Sequence, residues 1–223
     1  MIVVKKLNES GYREALFGLS LSYGKNKAFE SGDISEEEFY GKMANIAQSL
    51  CKREGGENKF LRQISVWLDV SAPLYWWKQA DQYKVGTVTQ SESTMHTLMK
   101  CPVTEAMFET DSVTDTEGHY LCSIIIPELE ELRQKYVEMT ENAPKGMLPH
   151  ELREYYKDRD KYKKDLIALL PQSFIQRRIW SLNYAVLRNI RAHRSDHFLK
   201  EWWFFCKTIP TIVDHPELLL ESY

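Results

Sequence analysis

Polar side chains that could do chemistry lie in the last quarter of the sequence, between a Leu-Leu-Pro segment and a pair of tryptophans. At about 100° per residue, one helical stripe contains Asn183, Leu187, Ile190, Arg194, Phe198 and Glu201. The face predicted to be buried therefore carries an amide and a guanidinium. An unpaired buried charge is costly, so Arg194 needs an anionic or hydrogen-bonding partner. That partner is either a carboxylate, such as Asp196 or Glu201, or a bound ligand.

The order of residues in this segment resembles the C-terminal core of the flavin-dependent thymidylate synthases. That family has a Leu-Pro, a variable strand, an Asn that opens a long helix, a second Asn and then an Arg. The matching positions are Leu170, Pro171, Asn183, Asn189 and Arg194. The helix of the family continues into a Gln-x-Glu signature, and Leu199-Lys200-Glu201 is a partial match to it.

Residues 71–96 are similar to a diverged form of the same family's signature, which is Gln, two residues, Arg-His-Arg, Ser and then Ser-x-Arg-Tyr. Gln79 corresponds to the first Gln, and Thr87 corresponds to the first Ser. The triplet is Gln82-Tyr83-Lys84, and the last motif is Ser93-Thr94-Met95-His96. The two segments together predict one site.

The resemblance implies a role for each matched residue. The residues implied to bind flavin are Gln82, Tyr83, Lys84, Asn183 and Asn189. The residues implied to bind the nucleotide substrate are Gln79, Thr87, Gln90, Ser93 and Arg194. Arg194 is also the implied catalytic residue, because it would polarise the uracil ring and stabilise negative charge on it.

Several arginines of the family are replaced in this chain. The replacements are Gln82 and Lys84 in the triplet, Met95 in the last motif and Ile167 before the Leu-Pro. A lysine holds a phosphate as a point charge but lacks the planar fork of a guanidinium. Four nearby arginines could restore the charge or could form an ordinary solvated face; they are Arg177, Arg178, Arg188 and Arg191.

The activity that the resemblance implies is reductive methylation. FAD, reduced by NADPH, would relay a one-carbon unit from methylenetetrahydrofolate and a hydride to carbon 5 of dUMP or a related pyrimidine nucleotide. The family works as a homotetramer with sites between subunits. Asn183 and Asn189 differ by about 240° around a helix, which agrees with one helix serving two surfaces. Two other classes stay open: a catalytically idle homologue acting as a nucleotide-binding or oligomeric scaffold, and an unrelated helical interaction protein.

Composition is consistent with an enzyme-sized single domain over residues 1–223. The chain has 223 residues, 43% of them hydrophobic, and a net charge of −3. That charge argues against a general nucleic-acid binder.

Four widely spaced cysteines and the lack of a signal peptide or long apolar span predict a cytoplasmic protein with reduced thiols and no membrane segment. The histidines show no metal-binding spacing, so no metal is expected.

Patterning predicts an α+β (α/β) fold, which the resemblance specifies as an antiparallel sheet flanked by long helices, like that of the thymidylate synthase-complementing proteins. Residues 1–7 are predicted as an edge strand and residues 60–70 as a half-buried strand. Helices are predicted over residues 12–23, from Ser35 to the Gly55-Gly56 pair, from Pro127 to Asn142, and over 151–164. Residues 102–120 are acidic and predicted to be a surface loop.

Overall fold

The computed structural model describes residues 2–53, 56–111 and 113–219. Its strands form a four-stranded sheet in the order β1-β2-β4-β3. The strands are β1 (Val3–Ser10), β2 (Ser65–Pro73), β3 (Thr87–Ser91) and β4 (Ile175–Asn183). β1 is an edge strand, as predicted, and pairs antiparallel with β2 from Val3 opposite Ser71 to Ser10 opposite Ser65. The antiparallel sheet among many helices confirms the predicted fold class.

Helices make up most of the remaining described chain. They are α1 (Tyr12–Ser22), α2 (Asn26–Glu30), α3 (Glu36–Leu50), α4 (Leu74–Ala80), α5 (Thr94–Thr97), α6 (Asp115–Tyr120), α7 (Ile126–Glu141), α8 (Pro149–Leu169), α9 (Tyr184–Arg194) and α10 (Lys200–Ile212). Short 3-10 turns lie at Lys59–Arg62, Glu105–Met107 and Pro216–Leu218, and a π-helical turn lies at Leu121–Ile125.

The chain divides into two compact units, each assembled from separate stretches of sequence. The sheet unit contains residues 2–71, 78–90 and 178–219, and the helical unit contains residues 72–77 and 91–177. The expectation of a single domain over residues 1–223 stays a prediction.

The sheet unit shows the predicted patterns of β2 and α3. Ile64, Val66, Leu68 and Val70 are all fully buried, because alternate residues of a strand face the same side of the sheet. The side chain of Ser35 accepts a hydrogen bond from the N–H of Glu38 at 3.2 Å and so caps α3. The strand begins later than predicted, since Lys59–Arg62 forms a 3-10 turn. The Gly55-Gly56 pair, which was predicted to end this helix, lies only partly within the described residues, because Gly55 is not among them. In the structure α3 ends at Leu50, before that pair.

The helical unit is built around the hairpin of α7 and α8. Its core cluster contains Leu98, Met99, Val103, Phe108, Leu121, Ile126, Leu129, Leu166 and Phe174. α8 covers the predicted charged helix and ends at Leu169, directly before Leu170-Pro171, because the residue before a proline is disfavoured in the helical conformation.

The acidic stretch 102–120 is only partly the predicted loop. Thr114 accepts a hydrogen bond from the N–H of Glu117 at 3.5 Å and starts α6 within it, while Glu109 is buried. The helical run continues from α6 through the π turn into α7. The π turn ends at Ile125, two residues before Pro127. Proline lacks an N–H and its ring crowds the carbonyl of the preceding turn, so the widened backbone accommodates it.

Candidate functional site

Arg194 lies at the last residue of α9, in the sheet unit, with a half-buried side chain. Its Nε donates a hydrogen bond to the hydroxyl of Tyr83 at 3.0 Å, and its Nη1 donates to Oε1 of Gln79 at 3.2 Å. The guanidinium also lies 5.8 Å from the ring centre of Tyr83 and 5.2 Å from that of Trp202. Cation–π attraction and hydrogen bonding therefore hold it in one orientation.

Gln79 joins two of these side chains through one atom. Its Oε1 accepts a second hydrogen bond, at 2.9 Å, from the indole N–H of Trp202. Gln79 belongs to α4, Trp202 to α10 and Arg194 to α9, so three helices meet at this amide. Trp202 is fully buried, and its N–H needs such an acceptor.

The partners of Arg194 are neutral. Among the residues that the structure describes, no carboxylate lies within ion-pair distance of its guanidinium, so the alternative of a pair with Asp196 or Glu201 is wrong.

The helix that carries the predicted stripe ends earlier than predicted, since α9 stops at Arg194 and Phe198 is 87% exposed. Ser195 is the C-cap of α9, and its hydroxyl donates to the carbonyl of Arg191 at 2.6 Å, a back-bond of the kind that weakens and bends helices.

Asn183 caps the helix that carries Arg194. Its Oδ1 accepts a hydrogen bond from the N–H of Val186 at 3.1 Å. Gly86 lies against the same side chain: its φ is +75°, and a Cβ there would lie 2.6 Å from Nδ2 of Asn183. Glycine thus allows the loop between α4 and β3 to approach the helix cap. In this loop the hydroxyl of Thr87 donates to the carbonyl of Tyr83.

The hydrogen bonds of Arg194 go to Tyr83 and Gln79, and the remaining residues of the predicted site are exposed in one unit or the other. Gln82, Lys84 and Gln90 belong to the sheet unit and are exposed. Asn189 is exposed while its helix neighbours Leu187 and Ile190 are buried, as the angular separation from Asn183 predicts. Ser93 lies in the helical unit, at the start of α5, where its carbonyl accepts a hydrogen bond from Thr97.

Two titratable groups that follow Arg194 in the sequence have shifted pKa values. Burial, and then the charge of Arg194, lower the pKa of His197, whose Nδ1 accepts a hydrogen bond from the N–H of Leu199 at 3.1 Å. Burial raises the pKa of Cys206 to about 11, although Ser195, Arg191 and Arg194 oppose the shift. A thiol with such a pKa is a poor nucleophile at neutral pH.

Three of the four arginines considered as replacements have partners within the sheet unit. Arg178 donates to both carboxylate oxygens of Asp81, at 2.9 and 3.1 Å. Arg188 donates to the carbonyl of Leu218 at 3.0 Å, and Arg191 donates to the carbonyl of Cys206. Arg177 lies in the helical unit and is exposed.

Trp202 is the residue of this arrangement that sequence reasoning missed. Its position beside Trp203 predicts only core packing or a subunit contact. The signal that could have found it was the indole N–H, which a buried tryptophan must satisfy with an acceptor.

Within the described chain, no group of three or more His, Cys, Asp or Glu side chains is arranged to hold a metal ion. No helix of those residues is both long and apolar enough to cross a bilayer.

Comparison with known proteins gives matches among solved structures. No family model matches the sequence, and no curated protein matches it. The flavin-dependent thymidylate synthase ThyX from Helicobacter pylori, in complex with FAD and dUMP, aligns with a TM-score of 0.64 at 14% identity, covering 97% of each chain. A second structure of that enzyme with FAD and dUMP aligns with a TM-score of 0.63 at 15% identity, covering 99% of this chain and 98% of the other.

A third match comes from a different enzyme. The UMP/dUMP methylase PolB from Streptomyces cacaoi, bound with 5-Br dUMP, aligns with a TM-score of 0.56 at 12% identity, covering 95% of this chain and 89% of the other. At these identities the likeness is one of fold. The chain therefore has a ThyX-like fold.

Proposed function

We propose that this protein is a flavin-dependent enzyme that transfers a one-carbon unit and a hydride to carbon 5 of dUMP or a related pyrimidine nucleotide. Two observations support the proposal. The fold matches, over nearly the whole chain, enzymes crystallised with FAD and dUMP or with 5-Br dUMP. The guanidinium of Arg194, which the sequence alone matches to the family's catalytic arginine, is held rigidly by neutral groups.

The neutral partners of Arg194 are the observation that carries the catalytic role. A carboxylate partner would cancel most of the field of the guanidinium, whereas a phenol and an amide leave its positive charge intact. A fixed positive charge beside a uracil ring stabilises negative charge that develops on that ring, and no reorganisation is needed when the charge appears. Arg194 would thus act electrostatically and would not transfer a proton.

The side chains that we propose to bind FAD carry hydrogen-bond donors that suit its ring carbonyls and its phosphate oxygens. The Nδ2 group of Asn183 remains a donor, because the helix cap uses only Oδ1. The amides of Gln82 and Asn189 and the ammonium of Lys84 are exposed and can bind ring carbonyls or phosphate oxygens. When bound, FAD would supply hydride chemistry, with NADPH and methylenetetrahydrofolate as co-substrates. The chain's own residues would bind and orient the two flat rings.

A homotetramer with sites between subunits belongs to the same proposal. Asn183 lies at the helix cap and Asn189 on the exposed side of α9, so a single copy does not bring the two amides to one place. Apolar side chains near the matched motifs are also exposed, with Val85 at 89% and Phe198 at 87%. Burial of such side chains against another copy would be favourable.

A catalytically idle homologue is the second candidate. It is favoured by the replaced arginines together with the internal partners of Arg178, Arg188 and Arg191, which leave these three side chains engaged within the sheet unit. Such a protein would keep the fold and could bind a nucleotide or flavin without turnover.

Absorption spectroscopy of the purified protein separates the two candidates. The enzyme should carry the visible bands of oxidised flavin after incubation with FAD, and it should oxidise NADPH only when dUMP and methylenetetrahydrofolate are present. A colourless protein, or a flavoprotein whose NADPH oxidation ignores dUMP, would contradict the proposed reaction and favour the second candidate. Measuring the molar mass of the protein in solution tests whether it forms a tetramer.

A further inference from the structure

The indole of Trp202 contacts every other member of the group around Arg194. Its N–H donates a hydrogen bond to Oε1 of Gln79 at 2.9 Å, and the guanidinium of Arg194 lies 5.2 Å from its ring centre. Its ring also packs edge-on against the ring of Tyr83, with 6.0 Å between the centres and 64° between the planes. The side chain is fully buried, so packing fixes its position.

The donors beside Gln79 determine which end of its amide faces them. A side-chain amide has an oxygen that only accepts hydrogen bonds and an NH2 group that only donates them, and a half-turn exchanges the two ends. An indole N–H and a guanidinium can only donate. Because Trp202 and Arg194 converge on one atom of Gln79, at 2.9 and 3.2 Å, that atom is the oxygen.

The indole makes the reversed amide unfavourable. With the amide reversed, the NH2 group of Gln79 would face the guanidinium of Arg194, donor against donor, and Arg194 would keep only its hydrogen bond to Tyr83. The buried N–H of Trp202 would also lose its acceptor and carry the full desolvation penalty. The indole thus adds a second reason for the oxygen of Gln79 to face Arg194.

We propose that Trp202 is a positioning residue, whose indole N–H holds the amide of Gln79 with its oxygen toward Arg194. A carboxylate at position 79 would need no such help, because both of its ends accept hydrogen bonds, but it would neutralise the guanidinium. A neutral amide paired with a buried indole fixes Arg194 and keeps its positive charge available. The use of that charge in turnover rests on the function proposed above, whereas the orientation of the guanidinium does not.

The reactivity of Arg194 toward phenylglyoxal measures how firmly the guanidinium is held, and it requires neither flavin nor turnover. Peptide mass spectrometry follows the modification of this residue in the full chain. Trp202→Phe keeps an aromatic ring but removes the N–H, so Arg194 should react about fivefold faster, as expected for the loss of one hydrogen bond. The control is Trp203→Phe, because Trp203 is partly exposed and its ring contacts Lys207. Arg194 should react at the original rate in that variant.

Gln79→Glu separates positioning from a general packing role. Arg194 should react no faster in this variant than in the unmodified protein, and adding Trp202→Phe should not speed its reaction, because a carboxylate accepts in either orientation. The proposal is overturned if Trp202→Phe leaves the rate unchanged, or if it speeds the reaction equally with Gln and Glu at position 79. Circular dichroism checks that each variant is folded. If Trp202→Phe does not fold, Gln79→Glu alone decides, and faster modification of Arg194 in it overturns the proposal.

Steady-state kinetics connect this positioning to the proposed reaction. In Trp202→Phe, kcat for dUMP-dependent NADPH oxidation should fall roughly tenfold while KM for dUMP stays nearly unchanged, because the misplaced charge acts on the transition state. Gln79→Glu should lose turnover although its Arg194 is held, because the carboxylate cancels the charge. In an active protein, an unchanged kcat in Trp202→Phe would overturn the proposal. If the unmodified protein shows no such oxidation, the proposed function fails, and the phenylglyoxal rates still decide the role of Trp202.

Discussion

The guanidinium of Arg194 donates a hydrogen bond to the side-chain oxygen of Gln79, a residue 115 positions earlier in the chain, at 3.2 Å. The two residues match separate motifs of one enzyme family, and the fold brings them into contact. Because the same oxygen accepts from the indole of Trp202, Gln79 fixes the position of Arg194 without neutralising it.

Replacing Gln79 with leucine should destabilise the protein. The change removes the acceptor of a buried indole N–H and a partner of Arg194, and a cost of about 1–3 kcal/mol in the free energy of unfolding is expected. Urea denaturation measures it. The matched control is Gln82→Leu, since Gln82 is an exposed amide three residues on. Equal losses in the two variants would show that the hydrogen bonds of Gln79 contribute nothing specific.

Arg194→Ala should abolish dUMP-dependent turnover while leaving flavin binding and oligomeric state unchanged. Loss of a preorganised charge that acts on the transition state costs about a hundredfold or more in kcat. Arg194→Lys should be nearly as slow, because an ammonium cannot hold Tyr83 and Gln79 in the geometry of the guanidinium. Arg153→Ala, at an exposed position of α8, is the control. Normal turnover in Arg194→Ala would disprove the catalytic assignment.

Two substitutions of Asn183 should separate its structural role from its proposed role in flavin binding. Asn183→Ala removes the helix cap and should cost about 1 kcal/mol, whereas Asn183→Asp keeps a capping oxygen and should be as stable as the unmodified protein. Both variants lose the Nδ2 donor, so both should bind FAD more weakly in a fluorescence titration. If Asn183→Asp binds FAD normally, that amide does not contact the flavin.

Gly86→Ala should destabilise the sheet unit by an amount on the order of 1–3 kcal/mol. The alanine would need a positive φ, and its Cβ would collide with Asn183 at 2.6 Å. A glycine without either constraint makes a sharp control: Gly41 lies within α3, and a Cβ added there would meet nothing within 4 Å, so Gly41→Ala should stabilise the helix by roughly 0.5–1 kcal/mol. Opposite signs in thermal unfolding are the expected result, and a shift of the same sign for both would contradict it.

Glu130 should make the stability of the helical unit depend on acid pH. Hydrogen bonds from Arg133, and further ones from the N–H of Val103 and from Gln134, lower the pKa of Glu130 from 4.5 to about 2 in spite of its partial burial. The folded state therefore binds the proton less tightly than the unfolded state. The stabilisation is present above pH 4.5 and is lost as the pH falls toward 2.

Glu130→Gln should remove this dependence. The variant should be less stable at neutral pH, and its free energy of unfolding should change less than that of the unmodified protein between pH 4.5 and 2. Denaturation curves recorded across that interval provide the measurement. Glu128→Gln, an exposed carboxylate in the first turn of the same helix, should retain the original pH dependence.

Local patterns determined much of the secondary structure. A capping Ser35 started α3, and alternation of Ile64, Val66, Leu68 and Val70 defined the buried side of β2. The charged helix predicted over 151–164 is present as α8, although α8 extends to Leu169. Each of these signals acts through neighbours within one turn or one strand, so it can be read from a short window of sequence. The end of α9 was missed because the apolar spacing continues past Arg194, whereas the helix ends there with Ser195 as its C-cap.

The sequence by itself also determined the candidate residues, since the order of Gln79, Asn183 and Arg194 was enough to suggest one family and one site. Only the tertiary structure decided what surrounds Arg194: Tyr83, Gln79 and Trp202, with no acid among the described residues within ion-pair distance. The physical reason is that the partners of a side chain come from elements far apart in the chain, and their approach depends on core packing and on a close contact such as that of Gly86 with Asn183.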